Sequence, residues 1–264
     1  MDEKDGRLVW KRAVGWAWVT AAYSEGKLYV GTVEGEIICL RAADGEVLWT
    51  HRTNGGVYPA PATDEDSVYT GSWDGYYYAL DKNTGRLRWA FARPGWPYER
   101  GGGPDSAAPV IWQGNVLARI VPSTLAAINK ATGKLVWEFR GPQYHGINAT
   151  AAAHGDRIFI SVFRDVGSAN IGAHLFALDN SGKQVWEYRG AGGWPGAVIA
   201  RDKVCTGSST EPFFVCLDPK GNGDGTTNVL WRTKVGAVFE ESVPAVYGDK
   251  LFVLCSDRYF YAFR

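Results

Sequence analysis

Ala79-Leu80-Asp81-Lys82-Asn83-Thr84-Gly85-Arg86-Leu87-Arg88-Trp89 runs from an apolar pair into an acidic residue, a short polar turn with Gly, and an alternating stretch ending on Trp. The pattern recurs. Ala127 to Trp137 is a near copy, and Ala177 to Trp186 is one residue shorter. Cys39 to Trp49 departs at the acidic position, and Cys216-Leu217-Asp218 reaches Trp231 through a longer Gly/Asn turn. The sixth copy is split: Ala262-Phe263-Arg264 stands at one end of the sequence and Asp5-Gly6-Arg7-Leu8-Val9-Trp10 at the other. The tryptophans at 10, 49, 89, 137, 186 and 231 are 39, 40, 48, 49 and 45 residues apart. A period of roughly 40–50 residues built only from strands is that of β-propeller blades.

The unit from Val57 to Trp89 shows how each repeat reads. Tyr58 to Ala62 is a small-residue strand, Ser67 to Gly71 a second, Tyr76 to Leu80 a third and Arg86 to Phe91 a fourth. Trp73-Asp74-Gly75 is the tight turn between the second and third. Four antiparallel strands make one blade. The expectation is an all-β chain, a six-bladed propeller forming a single domain over residues 1–264. Its ring closes where the N-terminal strand, Leu8 to Lys11, joins the C-terminal blade beside Tyr259 to Phe263.

The Ala-Leu-Asp-x-x-Thr-Gly-x-x-x-Trp motif resembles the repeat of pyrroloquinoline-quinone-like (PQQ-like) propellers. That family includes quinoprotein dehydrogenases and the periplasmic propeller lipoprotein of the outer-membrane β-barrel assembly machine. The resemblance covers the whole chain. It implies that the six tryptophans dock between blades, and that the protein is periplasmic or secreted. The fold alone leaves function open, because enzymes and scaffolds share the repeat.

Composition narrows the classes. Lys plus Arg and Asp plus Glu are both 28, so no net field favours nucleic acid. No apolar run approaches the roughly 20 residues of a membrane span, and Met1 to Asp5 does not read as a signal peptide. Cys39, Cys205, Cys216 and Cys255 form no Cys-x-x-Cys pair, and the histidines at 51, 145, 154 and 174 share no ligand spacing. No metal site is therefore expected. Cys205 and Cys216 fall on neighbouring strands and could meet, but the cysteines are read as small buried hydrophobes.

The repeats align on their first strands at Ala21, Pro61, Pro109, Ala151, Ala197 and Pro244. Small residues belong there, since the innermost strands crowd one axis, and Pro is admissible at a sheet edge. Three positions earlier stand Trp18, Tyr58, Ser106, Asn148, Trp194 and Glu241, where the chain enters the inner strand at one mouth of the channel. Trp16, Trp96, Arg100, Asp105, His145 and Glu240 lie just upstream, and Trp73 lies in a turn on the same face. Of the six tryptophans outside the docking set, only Trp112 maps to the opposite face. Exposed aromatics around a concavity point to binding.

The function expected is binding of a small-molecule ligand or protein partner in an aromatic and acidic funnel made by Trp16, Trp18, Tyr58, Trp73, Trp96, Arg100, Asn148, Trp194 and Glu240. Stacking supplies contact area and polar groups supply orientation. The alternative is an enzyme in which Glu241, Asp105 or His145 serves as acid or base on a small aromatic or sugar-like substrate. No cofactor is called for by the sequence, while the resemblance leaves PQQ and calcium open. Quinone chemistry is disfavoured: family dehydrogenases are usually eight-bladed, with a vicinal disulfide and a carboxylate and an amide on calcium. Here there are six repeats and no Cys-Cys pair.

Overall fold

The computed structural model describes residues 6–92, 107–120, 124–141, 146, 149–165, 171–240 and 242–264. Among them every element is a strand, and the strands form six antiparallel sheets, five of four strands and one of three. No helix of the described residues is long and apolar enough to cross a membrane.

The first sheet joins β1 (Ala22–Ser24), β2 (Lys27–Gly31), β3 (Glu36–Arg41) and β4 (Val47–Arg52) in chain order. The second joins β5 (Ala62–Thr63), β6 (Ser67–Gly71), β7 (Tyr76–Asp81) and β8 (Leu87–Ala92) in the same way. The third is built from β9 (Val110–Trp112), β10 (Asn115–Ile120), β11 (Thr124–Asn129) and β12 (Leu135–Arg140). The fourth holds β13 (Ala152–His154), β14 (Arg157–Asp165), β15 (Ile171–Leu178) and β16 (Gln184–Arg189). The fifth holds β17 (Val198–Ala200), β18 (Lys203–Gly207), β19 (Phe213–Leu217) and β20 (Val229–Lys234). The sixth has only β21 (Ala245–Tyr247), β22 (Lys250–Leu254) and β23 (Phe260–Phe263).

The chain divides into two compact units, residues 1–118 with 128–134 and residues 119–127 with 135–264. In the first unit, Tyr29, Ile37, Cys39 and Trp49 of the first sheet pack with Val57, Val68, Tyr78 and Leu80. In the second, Phe159, Leu175, Ala177 and Trp186 pack with Val204, Phe213, Val215 and Leu217. A further core there joins Phe214, Cys216 and Phe239 to Leu251, Val253 and Cys255. These residues alternate along their strands, as period-two side-chain placement requires.

The recurring motif has one geometry. A register shift falls at Cys39/Leu40, Ala79/Leu80, Ala177/Leu178 and Cys216/Leu217, one position before the turn residue. Bulges of this kind re-aim the side chains that follow. The motif Trp then reaches the next repeat. The Nε1 atoms of Trp10, Trp49, Trp89, Trp137 and Trp186 donate to the carbonyls of Ala42, Lys82, Lys130, Asn180 and Pro219. Each indole also lies on the turn glycine, Gly45, Gly85, Gly133, Gly182 or Gly221, where a Cβ would come closer than 3.0 Å. Those glycines have φ between +69° and +79°, so both backbone and space demand glycine.

Three expectations need correcting. The innermost strand of the second repeat, expected over Tyr58 to Ala62, is reduced to Ala62–Thr63. Pro59 and Pro61 offer no N–H for a ladder, and the Pro59 carbonyl instead accepts from the Thr70 hydroxyl at 3.2 Å. Residues 8–11, expected as the closing strand, are not in a strand. Trp10 and Arg12 hold that segment by side chains instead, with Arg12 Nε donating to the Gly45 carbonyl at 2.8 Å. Cys205 and Cys216 are not separate buried hydrophobes: they stand directly opposite on β18 and β19 and are joined as a disulfide.

Candidate functional site

In the first unit, Trp18, Tyr58 and Trp73 form one aromatic cluster. Trp18 and Tyr58 meet edge to face with centroids 5.4 Å apart, and Tyr58 and Trp73 meet at 4.5 Å. The backbone at Trp73 is fixed. Trp73 N donates to the Gly56 carbonyl at 2.8 Å, and a Cβ at Gly56 would strike the Tyr58 ring at 2.7 Å. The Asp74 carboxylate accepts from Asn54 N at 2.9 Å and from the Tyr78 hydroxyl at 2.7 Å, tying the turn to the sheet beneath. Burial, then this bond to Asp74, pushes the Tyr78 hydroxyl far above the ordinary phenol range. The hydroxyl is therefore a permanent donor.

Trp16 lies beside this cluster in sequence. Its carbonyl accepts from Val33 N at 2.7 Å, and its N–H points at the Glu34 carboxylate at 3.2 Å. The side chains of Trp16 and Trp18 remain 67% and 70% exposed, and Trp73 43%. Their rings thus keep exposed surface, and the main chains of Trp16 and Trp73 are anchored. An apolar surface held this way offers contact area at little entropic cost.

In the second unit, Trp194 packs against Phe163 at 5.8 Å and is 39% exposed. Glu240 is exposed, and its carbonyl accepts from Ser242 N. Trp96, Arg100, Asp105, His145, Asn148 and Glu241 lie outside the described residues. Trp112 is the last residue of β9, at the β9–β10 turn.

A pair that spacing does not signal is His174 and Glu187. His174 is buried on β15, and its Nδ1 lies 2.5 Å from Glu187 Oε1 on β16, with Arg189 Nε at 3.4 Å from the same oxygen. The pairing of Phe176 with Glu187 puts the carboxylate on the histidine's face of the hairpin. Only the β15–β16 register, with its shift at Leu178, reveals this. Among the described residues no three His, Cys, Asp or Glu side chains could hold a metal ion.

A family model described as outer membrane protein assembly factor BamB matches residues 1–174. The chain belongs to the BamB family of PQQ-like propellers. BamB of Burkholderia pseudomallei is 27% identical over 315 positions, covering 100% of this chain and 78% of that protein. BamB of Bordetella pertussis is 29% identical over 138 residues, 52% of this chain and 35% of that protein. The quinohemoprotein alcohol dehydrogenase ADH IIB of Pseudomonas putida is 29% identical over 48% of this chain, which spans 22% of it. Among solved structures, BamB from Moraxella catarrhalis superposes with a TM-score of 0.72 at 18% identity, covering 97% of this chain and 75% of that one. Quinohemoprotein alcohol dehydrogenase from Comamonas testosteroni gives 0.66 at 17% identity, over 81% and 42%. The structural likenesses establish the fold, and this chain spans about a third of the Bordetella BamB.

Among the described residues one disulfide is present, joining Cys205 to Cys216, 11 positions apart in sequence on facing strands.

Proposed function

We propose that this chain is a partner-binding scaffold, an assembly factor of the BamB kind, which engages a protein at the Trp18–Tyr58–Trp73 face. The observation that carries the reading is the division of labour among the tryptophans. Trp10, Trp49, Trp89, Trp137 and Trp186 each serve the repeat by docking on a turn carbonyl. Among the described residues Trp16, Trp18 and Trp73 make no such bond, and they remain 67%, 70% and 43% exposed. Aromatic residues are enriched where proteins bind proteins. The membership of the BamB family, and the disulfide, support a role in an oxidising compartment. We also read the six sheets as six blades of one ring, a single domain over residues 1–264.

The test is complementation. Cells lacking their own BamB would receive this chain or its Trp18→Ala/Trp73→Ala form, and outer-membrane protein content would be measured at matched expression. Restoration by the parent and failure by the double variant is the expected result. Equal restoration by both removes the aromatic face from the function.

A further inference from the structure

We infer that the cavity lined by the fifth and sixth sheets is a binding site for a small aromatic carboxylate of one or two rings. Every residue lining it belongs to the second unit, and its volume is about 210 Å³. An apolar cavity of about 150 Å³ already holds benzene, so a ring bearing a carboxylate has room here. Trp231 and Phe263, with centroids 5.5 Å apart, supply flat apolar surface, and Leu251 and the Cys205–Cys216 disulfide add to it. Phe263 is itself held, stacked on Phe214 at 4.9 Å. The disulfide ties β18 to β19, so this wall is in place before a ligand arrives, which lowers the cost of binding.

Two polar features select an acid over a neutral ring. The first is the indole N–H. Trp10, Trp49, Trp89, Trp137 and Trp186 each donate to a turn carbonyl, whereas among the described residues the half-buried Trp231 donates to none. A buried indole N–H ordinarily finds an acceptor, and a carboxylate oxygen is one. The second is charge. The β17–β18 hairpin brings Arg201 and Lys203 to the cavity, and the β21–β22 hairpin brings Lys250. Among the described residues none of these three has a carboxylate within ion-pair distance, although Arg157, Arg189 and Arg232 of the same unit each have one. Asp249, the carboxylate in the lining, is taken by Arg264. Uncompensated cations beside an apolar wall focus a positive potential into the cleft they share. Apolar rings and unpaired cations together match a planar anion.

Titration calorimetry on the whole chain, with naphthalene-2-carboxylate and its neutral amide as probes, tests this. The carboxylate should bind about tenfold more tightly than the amide, the difference made by a hydrogen bond to a charged group. Lys203→Gln/Lys250→Gln should bring the carboxylate down to the affinity of the amide, leave the amide as it was, and keep the parent's Tm, since neither ammonium group has an ion-pair partner to lose. Failure of the carboxylate to bind overturns the inference, and so does equal affinity for the two probes. Carboxylate affinity retained in the lysine variant overturns it too, because the probe then sits elsewhere. Trp18→Ala/Trp73→Ala should bind both probes as the parent does. If that variant loses them, the probes occupy the partner-binding face and the cavity is no site. Partner binding is read separately, so the two readings fail independently.

Discussion

Trp89 Nε1 donates to the carbonyl of Lys130 at 2.8 Å, joining two copies of one motif across 41 positions of sequence. The indole is 8% exposed, meets Tyr69 at 5.9 Å, and covers Gly133. One side chain thus supplies a hydrogen bond, an aromatic contact and the filler between successive repeats. Removing it leaves a cavity and an orphaned carbonyl. Trp89→Ala should cost about 3–5 kcal/mol, measured by urea unfolding. Gly133→Ala attacks the same joint from the other side and should also destabilise strongly. A Tm unchanged in either variant would refute the docking role.

The turn that receives an indole is itself acid-sensitive. Asp81 Oδ2 accepts from Arg88 at 2.7 Å, and its Oδ1 accepts from Thr84 and Asn83. The Arg88 guanidinium first, and then the Thr84 hydroxyl, hold this carboxyl far below the usual range. A depressed folded-state pKa contributes stability above the unfolded value of about 3.9 and loses it as pH falls further. Stability should therefore be level from pH 7 to about 5 and then decline towards pH 2. Asp81→Asn keeps the turn, because Asn129 makes the same bonds to Thr132 in the next copy. The variant should flatten part of that acid limb. An acid limb identical to the parent's would show that Asp81 does not carry it.

How far the sequence could be read follows from which facts are local. The motif from Ala79 to Trp89 contains its own bulge, turn and glycine, so the outer half of the first five repeats is legible. The inner strands were less so, since Pro59 and Pro61 mark an edge without saying how short it is. The Cys205–Cys216 bond and the His174–Glu187 pair depend on cross-strand register, which one sequence expresses only weakly. Repeat phase groups Trp18 with Tyr58, the turn on the same face adds Trp73, and Tyr58 touches both rings.

The disulfide gives a redox prediction. Cys205 and Cys216 are 11 positions apart in sequence and close a short loop containing the β18–β19 turn. Constraint of the unfolded chain by a loop of that length is worth about 2–3 kcal/mol in the chain-entropy model. Unfolding in the presence of a phosphine reductant should shift to lower denaturant by that amount. The Cys205→Ala/Cys216→Ala chain should match the reduced parent and ignore the reductant. A parent indifferent to reduction would mean the two thiols are not bonded in solution.

The aromatic face makes the sharpest division between stability and binding. Trp18 is 70% exposed, so Trp18→Ala should change Tm little, within the roughly ±0.5 kcal/mol of surface substitutions. Trp73 anchors its turn through backbone N–H to Gly56, a bond that survives Trp73→Ala. Both variants keep the fold while removing a ring from Tyr58, and each aromatic contact is worth about 0.5–1.5 kcal/mol beyond its area. Partner affinity should fall by roughly two- to tenfold for each variant at unchanged stability. Because both rings contact Tyr58, the double variant should lose less than the product of the two effects. Trp194→Ala asks the same of the second unit, where Phe163 takes the place of Tyr58. Trp112→Ala at the β9–β10 turn is the control and should bind as the parent does. If Trp112→Ala weakens the partner as much as Trp18→Ala, the rings at residues 18, 58 and 73 only plug the fold and the partner binds elsewhere.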